Sequence, residues 1–230
     1  MGLTGGTILR HDHEGAAVDG GTDTTPGLRE RKKLATREAV RAAAVRLAVR
    51  DGIEDVTVER IAQEADVSLR TFFNHFPHKE DAVLDAVRVR AAELITEFRH
   101  RPTAEPVPVA VREAALAVID RDDVLGRDHL AALRLVRRAP SLLARQMTVL
   151  HEQEEALAAA IADRLGVDRS GSAGSSVPDV LAAMALAALR VALDRWLARD
   201  TGDGTAAAER AAALRQEIDT ALELLAVTQE

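Results

Sequence analysis

The stretch "TVERIAQEADVSLRTFFNHFPHKEDAVL", residues 57–84, decides the fold predicted for this chain. It holds two short amphipathic segments separated by a tight turn, "ADV". Thr57 and Ser68 each stand at the start of one segment, where a hydroxyl can cap the N-terminus of a helix. Two helices of about two turns joined by a turn of three to four residues form a helix-turn-helix.

The same stretch holds three of the four Phe residues in a protein that is only 2% aromatic. Phe72 and Phe76 are four positions apart, so they share one face of a helix and are predicted to fill a small three-helix core. Phe73 cannot share that face fully and is predicted to point outward with Arg70.

Two further segments flank the helix-turn-helix. Residues 29–50 carry eight Lys or Arg and two Asp or Glu, a net charge of +6 in a chain whose total is -7. Apolar or small residues recur there at helical spacing, and Gly52 is placed to end the helix. After Pro77, acidic residues open a long helix that runs to about Arg101. The helix-turn-helix therefore lies between a basic helix and a long exit helix.

The remainder of the chain has the composition of helices. Ala, Leu, Arg, Glu and Val dominate it, and a Pro-rich break at 102–108 precedes long Ala- and Leu-rich segments. Helices are predicted at about 108–121, 127–137, 140–165, 178–199 and 205–228. Residues 1–28, rich in Gly, Thr and Asp, are predicted to be a disordered arm. The fold class is all-α.

Several classes of function lack support in the sequence. With no Cys, disulfides and thiolate metal sites are excluded, and no apolar run reaches the roughly 20 residues of a membrane span. The N-terminus lacks the apolar centre of a signal peptide, so we expect a cytoplasmic protein without a membrane partner. A Gly-rich phosphate loop, G-x-S-x-G and H-E-x-x-H are all missing, so we expect no enzyme, no cofactor and no metal site.

The pattern of residues 57–84 resembles the DNA-binding domain of the TetR family of bacterial repressors. The resemblance runs from about Arg37 to Leu84 and rests on "TVxxIA", "VSxxTFFxxF" and "FPxKEDAVL" in that order. It implies a three-helix helix-turn-helix DNA-binding domain at 29–80, joined by a long helix to a larger helical ligand-binding and dimerisation domain at 81–230. The function implied is a repressor that binds a pseudo-palindromic operator as a homodimer and is released by a small, largely apolar ligand.

Four positions depart from the family pattern. Ala48 stands near the end of helix one, where the family often has an aromatic residue. Asp66 stands where the turn usually has Gly, and Asp tolerates a left-handed backbone better than most residues. Phe73 lacks the hydroxyl of the Tyr that commonly contacts a phosphate, so only ring packing is carried over. His78 replaces the usual Ser or Asp cap of the fourth helix and is expected to cap it poorly.

The resemblance also implies which residues contact DNA. Thr57 and Lys79 are expected at phosphates, Ser68, Leu69 and Arg70 open the helix that reaches base edges, and Arg37 lies on the basic segment that can reach the backbone or minor groove. The full predicted set is Arg37, Thr57, Ser68, Leu69, Arg70, Thr71, Phe73, Asn74, His75 and Lys79.

The residues of the second domain are assigned only through the resemblance, which implies an effector pocket and a four-helix dimer interface. The predicted pocket residues are Leu135, Leu143, Met147, Leu150, His151, Met184 and Arg190. The predicted interface residues are Leu189, Leu193, Trp196, Leu214, Ile218 and Leu222. The alternative is a helical ligand-sensing or partner-binding dimer that has no specific DNA recognition, which the acidic total charge and the missing Tyr hydroxyl favour.

Overall fold

The computed structural model describes residues 27–121, 127–170, 174–199 and 207–227. Within these ranges the chain forms helices and no strand, which confirms the predicted all-α fold. Of the predicted arm at residues 1–28, residues 1–26 lie outside the described residues, and Leu28 is the first residue of α1. The helices are α1 Leu28–Asp51, α2 Val58–Glu64, α3 Leu69–His75, α4 Lys79–His100, α5 Val107–Ile119, α6 Arg127–Arg138, α7 Pro140–Leu165, α8 Val177–Arg199 and α9 Ala207–Val227. None of the described helices combines the length and apolar character needed to cross a lipid bilayer.

Side-chain caps define the two helices of the helix-turn-helix. Thr57 Oγ1 accepts a hydrogen bond from the Arg60 N–H at 3.3 Å, and Ser68 Oγ accepts one from the Thr71 N–H at 3.1 Å. Both contacts satisfy backbone donors that a helix N-terminus leaves free. His78 makes no such bond at the start of α4, as its side chain predicts.

The turn after α2 depends on Asp66. Its φ is 52°, and among the described residues it is the one non-Gly residue with a positive φ. The Asp66 N–H donates to the Gln63 carbonyl at 3.1 Å, and the Val67 N–H donates to the Ala62 carbonyl at 2.9 Å. This pair of bonds is the Schellman arrangement that ends helices with a left-handed residue. The prediction that Asp replaces Gly in this turn is confirmed, at a backbone cost of about 1 kcal/mol.

The N-terminal core is built around the two Phe residues of α3. Phe72 and Phe76 are 0% and 1% exposed, as predicted, with their ring centroids 6.1 Å apart. Residues of α1 surround them at the helical spacing read from the sequence, among them Val40, Ala44 and Leu47. Residues of α6 and of the first half of α7 complete the same core: Ala132, Val136, Ala139, Leu142 and Val149.

A second core lies among the end of α4, α5, the second half of α7, α8 and α9. Phe98, Leu157 and Trp196 are among its buried residues. The predicted division at residue 80 therefore does not coincide with the division between the two cores. The physical reason is that α6 packs on α1 and α4 and buries Ala132 and Val136 in the first core, while its Leu130 is buried in the second.

Candidate DNA-binding surface

One face of α3 is open to solvent. Leu69 and Phe73 are 43% and 55% exposed, and Arg70 and Asn74 are exposed beside them. These residues are spaced four apart in two neighbouring rows, so they form a single face opposite Phe72 and Phe76. In the described structure the Arg70 side chain makes no hydrogen bond or ion pair, so its guanidinium is available to a ligand. The face therefore presents the ring of Phe73, the amide of Asn74 and the cation of Arg70 on one helix.

The N-terminal caps lie beside this face. Thr57 and Ser68 are both exposed, so their hydroxyls are open to solvent as well as to the backbone. Ser68 Oγ also lies 2.8 Å from Thr71 Oγ1, which fixes both side chains at the first turn of α3. The sequence therefore identified these residues correctly as caps, and their contact with DNA stays a prediction.

Lys79 has partners within the chain. Its Nζ donates to the Val56 carbonyl at 2.8 Å and to the Glu54 carbonyl at 3.1 Å. These contacts tie the start of α4 to the loop that leads into Thr57. A cation at a helix N-terminus is unfavourable without a compensating negative group, and two carbonyl oxygens partly supply it here. Lys79 therefore positions the N-terminus of α2, whether or not it also contacts a phosphate.

Arg37 has several partners within the chain, and its contact with DNA stays a prediction. Its guanidinium forms a salt bridge with Asp85 at 2.5 Å, donates to the His75 carbonyl at 3.4 Å, and lies 4.6 Å from the centre of the Phe76 ring. Arg41 approaches the same carboxylate at 3.8 Å. Arg37 thus joins α1, α3 and α4. Its carboxylate partner, Asp85, is 48 residues away in sequence.

Asp85 is the functional residue that sequence reasoning missed. Its side chain is only 2% exposed, and a buried carboxylate requires compensating partners. Asp81, one turn earlier, is likewise buried and forms a salt bridge with Arg145 of α7 at 3.1 Å. The signal was present in "DAVLDAV", where two acids stand four apart within an apolar run. Acids on the buried face of a helix indicate ion pairs with neighbouring helices.

The Nδ1 side of His75 is turned inward, and the predicted contact of this residue with phosphate stays a prediction. Its Nδ1 is buried without a hydrogen-bond partner in the described structure, and its ring leans on Phe76 with the centroids 6.4 Å apart. Burial and the positive charges of Arg37 and Lys33 lower the pKa of His75 below its ordinary value of 6.5, against the opposing effect of Asp85. The lowered pKa favours the neutral imidazole, which is a weaker partner for phosphate than the charged form.

This environment predicts a pH dependence of stability. Because the folded pKa of His75 is lowered, the unfolded chain takes up a proton first as the pH falls below about 6.5, and the free energy of unfolding decreases. His75→Gln should show a shallower loss between about pH 7 and pH 5 in urea denaturation. The matched control is His100→Gln on the exposed end of α4. Equal slopes for the wild type and His75→Gln would contradict the assignment.

Most predicted pocket residues are not enclosed by this chain. Leu143 and Met147 are 53% and 64% exposed, and His151 and Arg190 are exposed as well. Leu143, Met147 and His151 form one strip of α7 at intervals of four, while Leu142 faces the N-terminal core. The remaining three predicted residues, Leu135, Leu150 and Met184, are partly buried.

Four of the six predicted dimer residues are buried inside the chain, and the other two are partly buried. Trp196, Leu214, Ile218 and Leu222 are at most 5% exposed in the second core, and Leu189 and Leu193 pack against it. The Trp196 Nε1–H donates to the Arg210 carbonyl at 3.1 Å, which fixes α8 against α9. The prediction chose the wrong face because α8 is apolar or small on several faces.

Comparisons with known proteins agree with this architecture. A family model described as bacterial regulatory proteins of the tetR family matches residues 40–86, and one described as the MftR C-terminal domain matches residues 105–226. The HTH-type transcriptional regulator TcmR of Streptomyces glaucescens is 38% identical over 153 residues, which cover 64% of this chain and 68% of TcmR. MftR of Mycobacterium tuberculosis (strain ATCC 25618 / H37Rv) is 25% identical over 167 residues, which cover 73% of this chain and 82% of MftR.

A solved structure shows the same fold. NalD, the secondary repressor of the MexAB-OprM multidrug efflux pump in Pseudomonas aeruginosa, aligns with a TM-score of 0.50 at 18% identity, covering 82% of this chain and 97% of NalD. Both the helix-turn-helix and the C-terminal helices are thus matched, the latter over more than half of the 230 residues. The chain belongs to the TetR family of bacterial transcriptional regulators.

Proposed function

We propose that this regulator is a repressor that binds a pseudo-palindromic operator as a homodimer and leaves it when a small, largely apolar ligand binds. The observation that carries the proposal is the open face of α3, where an unpaired Arg70 stands between Leu69, Phe73 and Asn74. A helix of this size fits the major groove, and its first residues reach base edges. One helix-turn-helix touches few base pairs, which favours two half-sites and hence a dimer.

The roles within each half-site follow from exposure and partners. Arg70 is assigned to a base edge, where a guanidinium pairs best with guanine, and Phe73 to packing on sugar or a thymine methyl. Thr57 and Asn74 are assigned to phosphates. Arg37 and His75 are assigned to holding α3 in place, and Lys79 to holding the start of α2.

A dimer surface is supported by a second face of α8. Val180 and Val191 are 53% and 45% exposed, and the exposed Ala183 and Ala187 lie between them. The spacing of three and four residues forms a narrow apolar seam along the helix, and the small Ala side chains permit close approach of a second helix. This seam replaces the buried residues predicted from the sequence.

A ligand site is supported by a polar group in α7. Gln153 carries an amide nitrogen that is buried and has no hydrogen-bond partner in the described structure. It lies one turn from the partly buried Leu150, on a helix that packs against α8. A mostly apolar site with one orienting amide is the usual composition of a small-molecule site.

The first experiment is selection of bound genomic fragments by the purified protein at about 150 mM salt, which suppresses purely electrostatic binding. Recovery of one pseudo-palindrome supports the repressor. Binding to all DNA at low salt, with no enrichment when the salt is raised, would instead support the helical sensor without specific DNA recognition. The internal partners of Arg37 and Lys79 favour that alternative, because they reduce the cations available to phosphates.

Substitution of Arg70 tests the assignment of base readout. Arg70→Ala should relax the preference at one position per half-site by about 1 to 3 kcal/mol, because one guanidinium reads one base pair. Lys79→Ala should weaken binding to all sequences alike, because it releases the loop before α2. Competition binding with single-base operator variants measures both effects, with Arg99→Ala on the exposed end of α4 as the charge-matched control. Equal losses with unchanged preference would remove Arg70 from base readout.

A further inference from the structure

Helices α4 and α7 pack side by side, and two ion pairs join them. Arg145 of α7 donates to Asp81 of α4 at 3.1 Å, and Arg88 of α4 donates to Glu152 of α7 at 3.1 Å. Asp81 and Arg88 are seven residues apart, and so are Arg145 and Glu152. Because the order and the spacing are the same on both helices, α4 and α7 run in the same direction, with the second pair about two turns beyond the first.

The two pairs have opposite polarity. In the first pair α4 supplies the carboxylate and α7 the cation, and in the second pair the roles are reversed. If α4 slid by seven residues in one direction, Asp81 would face Glu152, and in the other direction Arg88 would face Arg145. Either slide brings like charges together, and charged pairs between helices select a register in this way.

The apolar residues near these pairs define the register of the two helices less sharply. From α4 the first core takes small side chains, Ala82 and Ala86 among them, and from α7 it takes Leu142 and Val149. Apolar cores lose a unique arrangement before they lose stability, so burial alone favours one register only weakly. The Asp81 side chain is 9% exposed, and a buried carboxylate becomes strongly unfavourable when its partner moves away. The ion pairs therefore hold α4 in one position on α7.

The far end of α4 is also attached to α7. Arg164 donates to the carbonyls of Arg101 and Pro102, directly after α4, and its guanidinium lies 4.8 Å from the centre of the Phe98 ring. These contacts, together with the two ion pairs, connect α4 to α7 from its first turn to its C-terminal end. The two helices therefore form one rigid unit.

The position of α4 determines the position of α3. Arg37 joins the carboxylate of Asp85 in α4 to the carbonyl of His75 at the end of α3, and α4 begins only four residues after that carbonyl. On its other side α7 packs against α8, which carries the apolar seam proposed for the dimer. The path from the dimer seam to the recognition helix therefore runs through α8, α7, α4 and α3.

We infer that the two ion pairs between α4 and α7 set the distance between the two recognition helices of the dimer. Asp81, Arg88, Arg145 and Glu152 then determine which half-site spacing the protein accepts, although they lie outside the open face of α3. This inference rests on the proposed operator binding by a dimer and adds the residues that select its spacing. Neighbouring base pairs are about 3.4 Å apart, so a shift of about 1.7 Å in each protomer along the DNA changes the accepted spacing by one base pair.

The test measures binding of the full chain to three duplexes: the selected palindrome, and versions with one base pair added or removed at its centre. The quantity compared is the ratio of affinities for the native and the altered spacings, because a general loss of stability lowers all three affinities alike. The wild type should prefer the native spacing. D81N should reduce that preference on the order of tenfold, because it removes the buried carboxylate that holds α4 on α7.

A second set of variants uses the more exposed pair, which can be changed with less effect on folding. E152R places a cation beside Arg88 and should reduce the spacing preference about threefold, and R88E/E152R restores the pair with reversed polarity and should restore the preference. The matched control is E155R. Glu155 is 55% exposed against 53% for Glu152, and it also pairs with an Arg at 3.1 Å, but that partner is Arg169 in the loop after α7. E155R should leave the spacing preference unchanged.

The outcomes separate this inference from the proposed function. Unchanged spacing ratios for D81N and E152R, with the native palindrome still bound, would overturn this inference alone, and so would an equal change for E155R. If D81N does not fold, the comparison of E152R with R88E/E152R decides by itself. A wild type that binds no palindrome would overturn the proposed operator binding and this inference together.

Discussion

Phe72→Ala is expected to lower the free energy of unfolding by about 4 kcal/mol, the usual cost of removing a large ring from a packed core. Phe72 is fully buried, and its ring lies between Phe73 at 5.4 Å and Phe76 at 6.1 Å, centroid to centroid. The helix-turn-helix is too small to refill the space. Urea denaturation followed by circular dichroism measures the loss, and specific DNA binding should fail with it.

Phe73→Ala is the matched control, because it removes the same ring one position away. Phe73 is 55% exposed, so the stability change should stay within about 1 kcal/mol, while affinity for the operator should fall. Comparison of the two variants separates the effect of core packing on stability from the effect of contact with DNA on affinity. A large stability loss for Phe73→Ala with unchanged DNA binding would show that both rings serve the core and would remove Phe73 from the binding face.

Asp85→Ala is expected to lower the free energy of unfolding by about 3 kcal/mol, because breaking a buried ion pair from one side is strongly destabilising. The substitution leaves Arg37 and Arg41 without the carboxylate that neutralises them. It also removes the salt bridge between α1 and α4 that supports the C-terminal end of α3. Thermal and chemical denaturation measure the effect.

The control for this prediction is Asp55→Ala, which removes an exposed carboxylate from the loop before α2 and should leave stability nearly unchanged. A double-mutant cycle of Asp85→Ala with Arg37→Ala isolates the pair. Additive losses in that cycle would contradict the proposed coupling. They would return Arg37 to the set of residues available for DNA.

The course of the helices could be predicted from the sequence because local signals govern it. Thr57, Ser68 and Gly52 mark helix ends through their own side chain or backbone, and the apolar spacing of α1 identified its buried face. The role of Asp66 in the turn could be predicted for the same reason, because a left-handed backbone position accepts few residue types. The family resemblance added the order of the elements and is confirmed by the matches to both parts of the chain.

The contacts of the long polar side chains could not be predicted, because their partners are distant in sequence. Arg37 meets Asp85, and Lys79 reaches the carbonyls of a loop 23 to 25 residues earlier. The choice of face in the C-terminal helices failed for another reason. In α8, apolar or small residues surround much of the helix, so periodicity cannot decide between Trp196, which faces inward, and Val191, which faces outward.

Helix α7 belongs to both cores, and this has a consequence for how the protein can be divided. Leu142 and Val149 are buried with the helix-turn-helix, whereas Leu157 and Ile161 are buried in the second core of the same 26-residue helix. A chain cut after α4 would leave the recognition module without the α6 and α7 side chains that close it. The N-terminal and C-terminal parts are therefore not independent units, and exchange between relatives has to carry α6 and the first half of α7 together with the helix-turn-helix.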